Sequence, residues 1–303
     1  MRVVFMGTPD AAVPSLEAVA GAFDVACVYT RPDKPKGRGR HIEASPVKQA
    51  ATELGLEVRQ PRRLRDDTDA LRELAPDAVV VVAYGALLRP DVLEIPRLGC
   101  VNVHFSLLPR WRGAAPVERA VLAGDERSGV TTMLMDEGLD TGPILLQETT
   151  EISADDSSGS LRMRLATLGG PLLVKTLRGL EASSIEPRPQ PAEGVTIADK
   201  ILASDAELDP TEDAAMLERK IRGFDPVPGA FVWFRDKRLK VWRGAVESGA
   251  GEPGTFVDGA IQTANGRLRL VEVQPEGKRR MSGADFVRGY RPADGERIPS
   301  RRG

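Results

Sequence analysis

Cysteine and histidine are scarce, at two each in 303 residues. Cys27 and Cys100 show no Cys-x-x-Cys spacing, and His41 and His104 are the only other soft ligands. A disulfide framework is therefore excluded, and no metal is expected. Both cysteines sit in strand-like apolar runs and are expected as buried small residues. Long hydrophobic runs are also lacking, so no segment is long enough to cross a bilayer and no membrane partner is expected. The opening MRVVFMGTPDAAVPSLEAV breaks at Gly7 and Pro9 and reads as neither a secretion signal nor a span. A reducing cytoplasm suits such a chain. There is no excess of positive charge either: 42 Lys and Arg stand against 44 Asp and Glu, a net charge of -2. Such a sum does not advertise a nucleic-acid binder, but it can hide segregated patches, which are what steer phosphates.

What is present is an ordinary globular composition, 41% hydrophobic and 28% charged, in a chain long enough for two domains. The runs RVVFMG, AFDVACVYT, PDAVVVVAYG and CVNVHF alternate with stretches of helical spacing. That pattern predicts an α/β fold with a doubly wound, mainly parallel sheet, whose ligand sites lie at the carboxyl ends of its strands. The first helix should start near Thr8 to Asp10 and turn Val13, Leu16 and Val19 towards the sheet. The second is ASPVKQAATELG, with Ser45 as cap, Pro46 in the first turn and Gly55 at its end. From Ser183 the text SSIEPRPQPAEG, with three prolines and no periodicity, marks an extended linker. After it come the periodic helix DAAMLERKIRGF and the short runs GAFVWF, RLKVWRGAV, GTFV, AIQTA and RLRLVEVQ, which suggest a small barrel or sandwich. The expected organisation is a catalytic domain over residues 1–182, a linker over 183–203 and a small β-barrel domain over 204–303.

The run CVNVHFS alternates, so a strand there puts Asn102, His104 and Ser106 on one face and Val101, Val103 and Phe105 on the other. An uncharged amide donor beside an imidazole that titrates near neutrality could hold a developing oxyanion. An Asn-x-His pair alone carries little weight. The segments that follow, SLLPRWRGAAP and DEGLDTGPI, resemble the signature of the folate-dependent formyltransferases. The similarity continues through GTPD, RPDKPKGRGR, VVVAYG and IRGFDPVPGAF, and so spans nearly the whole chain. The resemblance implies a Rossmann-like domain followed by an oligonucleotide-binding-type (OB-like) barrel, with Asn102, His104 and Asp140 as the catalytic trio. It implies 10-formyltetrahydrofolate as co-substrate, held by Ser106, Leu107, Leu108 and Pro109, with Tyr84, Gly85, Leu87 and Gly138 nearby. Asp140 would either pair with His104 or take the amine proton through a water. GTPD lacks the third glycine of a dinucleotide fingerprint and the lysine of a P-loop, so no nucleotide cofactor is expected.

Positive charge gathers in four segments. RPDKPKGRGR holds Arg31, Lys34, Lys36, Arg38 and Arg40 against Asp33 alone, with prolines and glycines expected to keep it out of helix and sheet. RDKRLKVWR supplies Arg235, Lys237, Arg238, Lys240 and Arg243, and GKRRM and SRRG follow. The acceptor that the resemblance implies is the amino group of methionine on initiator tRNA, with Lys36, Arg38 and Arg40 at the acceptor end and the barrel along the tRNA exterior. A small amine or water is the alternative acceptor. Trp233 and Trp242 are expected in the core rather than stacked on bases. The chain is expected to act as a monomer.

Overall fold

The structure, a computed structural model, describes residues 1–36 and 41–300. Its contacts divide the chain into two compact units: Met1–Pro116, Arg127–Glu151 and Arg162–Ala198 form the first, and Val117–Glu126, Ile152–Leu161 and Asp199–Gly303 the second.

The first unit is built on a seven-stranded sheet. Its strands are β1 (Arg2–Gly7), β2 (Asp24–Tyr29), β3 (Val58–Arg59), β4 (Ala78–Val82), β5 (Cys100–His104), β6 (Arg127–Leu134) and β7 (Ile144–Glu151), in the spatial order β7-β6-β5-β4-β1-β2-β3. From β3 to β5 every pairing is parallel, and β6 is antiparallel to both β5 and β7. The mainly parallel α/β sheet is thus as the alternating runs predict. Helix α1 (Val13–Ala20) follows a single 3-10 turn at Asp10–Ala12 and buries Leu16 and Val19, while Val13 is only half-buried. No side chain caps that turn, and Asp10 Oδ1 instead accepts from Ala11 N at 2.9 Å. Helix α2 (Pro46–Glu53) starts as expected: Ser45 Oγ accepts from Lys48 N at 3.1 Å, and Gly55 closes the turn at φ +69°.

The long helix α3 (Ser158–Glu181) lies against the Val103 face of β5. A Cβ at Gly169 would stand 3.1 Å from Val103 Cγ1, so the missing side chain sets how closely the helix approaches. With Val101 and Val103 buried on that face, Cys100, Asn102 and His104 are left on the other. There Cys100 joins a cluster with Val4, Met6, Cys27, Tyr29, Val79 and Val81. The face turns from apolar to polar along a single strand.

The second unit packs helix α4 (Ala214–Gly223), through Ala214, Leu217 and Ile221, on an antiparallel sheet. Strands β8 (Phe231–Phe234), β9 (Lys237–Glu247), β10 (Phe256–Val257), β11 (Ala260–Gln262), β12 (Arg267–Pro275) and β13 (Met281–Ser282) run in the order β8-β9-β12-β11-β10, with β13 on β12. Two register shifts in β9, at Val241/Arg243 and Arg243/Gly244, bend that strand. Helix α5 (Gly283–Tyr290) covers one side, where Phe286 stacks on Tyr290 at 4.9 Å.

One expectation is corrected. The flanks of the basic loop do enter a sheet: Lys34–Lys36 pairs antiparallel with His41–Glu43. A three-residue edge ladder tolerates Pro35, since only some backbone N–H groups of an edge strand need a partner. Arg38 and Arg40 lie outside the described residues, and Lys36 is described only in its backbone.

Candidate active site

The polar end of β5 is where the side chains gather. His104 is 6% exposed, and its Nε2 lies 2.8 Å from the carbonyl of Trp111. A carbonyl only accepts, so Nε2 carries the proton and Nδ1 is the nitrogen left for chemistry. Nδ1 stands 3.7 Å from Asp140 Oδ2, and Asn102 Nδ2 stands 3.4 Å from Asp140 Oδ1. The three residues of the expected trio therefore meet at one place.

Asp140 arrives by a route that parallel-sheet reasoning does not suggest. Because β6 runs antiparallel to β5, the loop after it leaves beside Cys100, where Met135 N–H donates to Cys100 O at 2.8 Å. The loop then folds back along the strand to Asn102 and His104. Asp136 shapes it by accepting from Gly138 N at 3.0 Å and from Thr141 Oγ1 at 2.7 Å. Asp140 itself sits at φ +52°, in the left-handed region that Asp tolerates better than most residues. Its Oδ2 accepts a 2.9 Å hydrogen bond from Gly113 N.

The segment after β5 is a tight loop fastened from the neighbouring strands. The strand alternation stops at His104. Ser106 is buried in a bend, and its hydroxyl donates to Arg110 O at 2.6 Å, so it is part of the turn rather than a third member of the strand face. Thr131 Oγ1 donates to Ser106 O at 2.7 Å and accepts from Leu108 N at 3.1 Å and Gln147 Nε2 at 3.0 Å. Leu108 is buried with Met133 and Ile144, and the Leu108–Pro109 peptide is cis. Leu107 and Pro109 are half-buried.

The other expected folate residues spread along the strand ends. Tyr84 is buried, and its carbonyl accepts from Thr8 Oγ1 at 3.0 Å, which ties the GTPD turn to the loop after β4. Burial pushes the Tyr84 hydroxyl above its ordinary range, with Arg31 partly offsetting the effect. Gly85 has φ +78° with open space where a Cβ would stand, and Leu87 is 82% exposed. Leu87 also lines a cleft of about 480 Å³ with Arg31, Arg62, Arg63, Arg65 and Arg89. Sequence reasoning missed this cleft because its arginines come from three loops far apart in the chain. A signal existed in the run RRLR, which begins three residues after the end of β3.

A second group of residues escaped sequence reading. The linker returns to the site: Ile197–Ala198 pairs parallel with Arg112–Gly113, Trp111 N–H donates to Thr196 Oγ1 at 2.8 Å, and Arg188 bridges Ile144. Gln190 sits between these anchors and donates to the carbonyls of Asp140 and Gly142, both at 2.8 Å. In the second unit, several of the expected basic residues are already engaged. Arg235 pairs with Glu296 at 2.7 Å, Lys240 donates to Pro228 O at 2.9 Å, and Arg238 lies over Phe231 at 4.6 Å. Lys237 and Arg243 are exposed. Trp233 packs on the core, whereas Trp242 is half-buried under Arg280 at 3.8 Å. Among the described residues no cluster of three or more His, Cys, Asp or Glu could hold a metal ion.

An amide donor, an imidazole and a carboxylate, brought together at the end of a strand of a doubly wound sheet and on the loop that folds back beside it, form a group able to hold a developing oxyanion and move a proton. The chain belongs to the formyl transferase family: the Formyl transferase model matches residues 1–177, and the model of the formyl transferase C-terminal domain matches residues 200–291. It is 50% identical over 307 residues to the methionyl-tRNA formyltransferase of Halorhodospira halophila, covering 98% of this chain and 99% of that one. It is 48% identical over 301 residues to the enzyme of the same name from Myxococcus xanthus, covering 97% and 96%. Among solved structures, the sugar 3N-formyl transferase WlaRD has the same fold, with a TM-score of 0.68 over 92% of this chain and 99% of that chain at 17% identity.

Proposed function

We propose that this chain transfers the formyl group of 10-formyltetrahydrofolate to the amino group of methionine on initiator tRNA, giving N-formylmethionyl-tRNA for translation initiation. The observation that carries this reading is 50% identity, sustained along 98% of the chain, to a methionyl-tRNA formyltransferase. The residues present suit the co-substrate: exposed Leu87 and Leu139 offer apolar surface to a flat ring system, and the open space at Gly85 leaves room for one. The co-substrate supplies an electrophilic formyl carbon.

The chain's own residues handle the charges that follow. When the amine adds to that carbon, the oxygen becomes negative and the nitrogen positive. Asn102 Nδ2 donates to the oxygen with the N–H not aimed at Asp140. His104 takes the amine proton at Nδ1, because Nε2 already carries one for Trp111 O. The resulting imidazolium has an acceptor for Nε2 in Trp111 O at 2.8 Å and a compensating carboxylate in Asp140, whose Oδ2 stands 3.7 Å from Nδ1. Its Nδ1–H also helps hold the oxygen and then passes to the departing nitrogen. The new C–N bond forms, the old one breaks and the proton count closes. Asp140 orients and stabilises His104 in this scheme rather than taking the proton itself.

Ser106 to Pro109, Tyr84, Gly85, Leu87 and Gly138 form the folate side, and Lys36, Arg38 and Arg40 hold the tRNA acceptor end. Residues 1–182 carry catalysis, 183–203 connect, and 204–303 bind tRNA along its exterior. The enzyme works as a monomer in the cytoplasm. Transfer of labelled formyl from 10-formyltetrahydrofolate to charged initiator tRNA is the test. Labelled N-formylmethionyl-tRNA is the expected product. Transfer to a small amine or to water, with none to tRNA, would overturn the reading.

A further inference from the structure

We propose that Gln190, in the segment leading out of the first unit, is a positioning residue for formyl transfer: its amide fixes the backbone around Asp140 and so aims that carboxylate at His104 and Asn102. The proposal rests on the reading of Asn102, His104 and Asp140 as the reacting group.

The argument begins with Asp140. Its carboxylate has one strong hydrogen bond, from Gly113 N at 2.9 Å, while Asn102 and His104 stand at 3.4 and 3.7 Å. The side chain's direction therefore depends on two things, the backbone that carries it and the placement of Gly113. Gln190 acts on both. Its Nε2 donates to Asp140 O and to Gly142 O, each at 2.8 Å, which uses both amide hydrogens on the two carbonyls that flank the turn. Its Oε1 accepts from Arg112 Nε at 2.9 Å, and Arg112 is the residue before Gly113. The amide orientation is unambiguous, because the nitrogen faces only acceptors and the oxygen faces a guanidinium donor.

Asp140 needs such support. At φ +52° a non-glycine residue stays only where its surroundings hold it, and the two amide bonds do this from outside the loop. Gln190 is itself pinned on both sides. Arg188 and Ile144 exchange two backbone bonds of 2.8 and 2.7 Å, and Thr196 accepts from Arg112 N at 2.9 Å through its carbonyl and from Trp111 N at 2.8 Å through its hydroxyl. The same segment thus also holds Trp111, whose carbonyl fixes the His104 ring. An extended, proline-rich stretch suits this task, since its backbone groups are free to pair with whatever loop it crosses.

The test uses the full-length chain with Gln190→Ala and Gln190→Glu. The Glu variant keeps size and a partner for Arg112 but sets an acceptor against two carbonyls. Both variants should lower kcat roughly 10- to 100-fold, because the carboxylate of Asp140 loses its aim at His104. KM for folate and tRNA should stay within about twofold, and Tm should fall by only a few degrees, as the loss of two hydrogen bonds implies. A spectroscopic readout separates positioning from general softening. With two histidines in the chain, the His104 ring signals can be assigned by substitution, and they should move in both variants. Parental kcat in Gln190→Glu, or unmoved His104 signals in both variants, overturns the assignment. Absence of formyl transfer by the parent chain counts instead against the functional reading, and the ring signals still decide whether Gln190 places His104.

Discussion

At the scale of single residues, the proposed reaction divides labour between a donor, a proton carrier and a carboxylate. Replacing His104 by Ala removes the proton carrier, and kcat should fall roughly 10²- to 10⁴-fold with tRNA affinity nearly unchanged. Asn102→Ala removes one oxyanion donor at a cost of about 10²- to 10³-fold in kcat. Steady-state kinetics with a separate tRNA-binding measurement checks both, and a loss of binding equal to the loss of kcat would contradict the division. The shared face of Asn102 and His104 was legible in the sequence because period-two alternation sets two polar side chains against valines on the other face, while their candidacy as site residues came from the motif. Asp140 was legible only through its motif, since nothing in DEGLDTGPI says that its loop doubles back along β5. Ser106 illustrates the limit of alternation: the strand stops two residues earlier, and its hydroxyl closes a turn instead. The carbonyl of Trp111 and the amide of Gly113 were invisible, because backbone groups have no letter of their own.

At the scale of elements, the loop after β5 is held by pieces of chain that are distant in sequence. Gly113 shows how tightly. It sits at φ +120°, and a Cβ there would lie 2.8 Å from the carbonyl of Ala198, a backbone atom with little room to yield. Gly113→Ala should therefore cost about 1–3 kcal/mol in stability, measured by chemical denaturation. It should also lower kcat, because the hydrogen bond that anchors Asp140 comes from the same residue. A variant with parental stability and parental kcat would show that the 111–113 segment is looser than described. The pairing of residues 197–198 with 112–113 could not be read in advance: the linker has neither helical nor strand periodicity, and a two-residue parallel ladder depends on long-range docking rather than local preference. The basic loop was misread for a related reason. Its glycines and prolines argue against regular structure locally, yet Lys34–Lys36, with Pro35 at its centre, pairs with His41–Glu43. Asp33 within this loop accepts from Lys48 Nζ at 2.6 Å and Gln60 Nε2 at 2.7 Å, which holds its carboxyl below the usual range and ties the base of the loop to α2.

At the scale of the whole molecule, a net charge of -2 coexists with local concentrations of arginine and lysine. Binding of tRNA should follow those concentrations rather than the sum. Log Kd should rise linearly with log salt, and Arg38→Ala should reduce the slope by about one phosphate contact while leaving turnover at saturation nearly intact. A slope unchanged in Arg38→Ala would remove that residue from the interface.

Titratable groups are also buried in the core beneath the site. Burial pushes the thiols of Cys27 and Cys100 up to about 12, and raises the Tyr29 hydroxyl as well. In the unfolded chain a thiol ionises near ~8.5. Between that value and about 12 the unfolded state releases protons that the folded state keeps, so rising pH favours unfolding. The stability associated with these groups is complete below pH ~8.5 and is lost progressively above it, by roughly 1–2 kcal/mol per thiol at pH 10. Denaturation in urea at pH 7 and pH 10 should show that fall, and Cys27→Ala should reduce its size even though the cavity it leaves lowers stability at pH 7. The same raised values keep both sulfurs protonated at pH 8, so alkylation of the native chain should be slower than of the unfolded chain by roughly 10³-fold. Rapid labelling of either cysteine in the native state would show that the sheet opens at β2 or at β5, the strand that carries Asn102 and His104, and the slope of that rate with urea would say whether the opening is local or global.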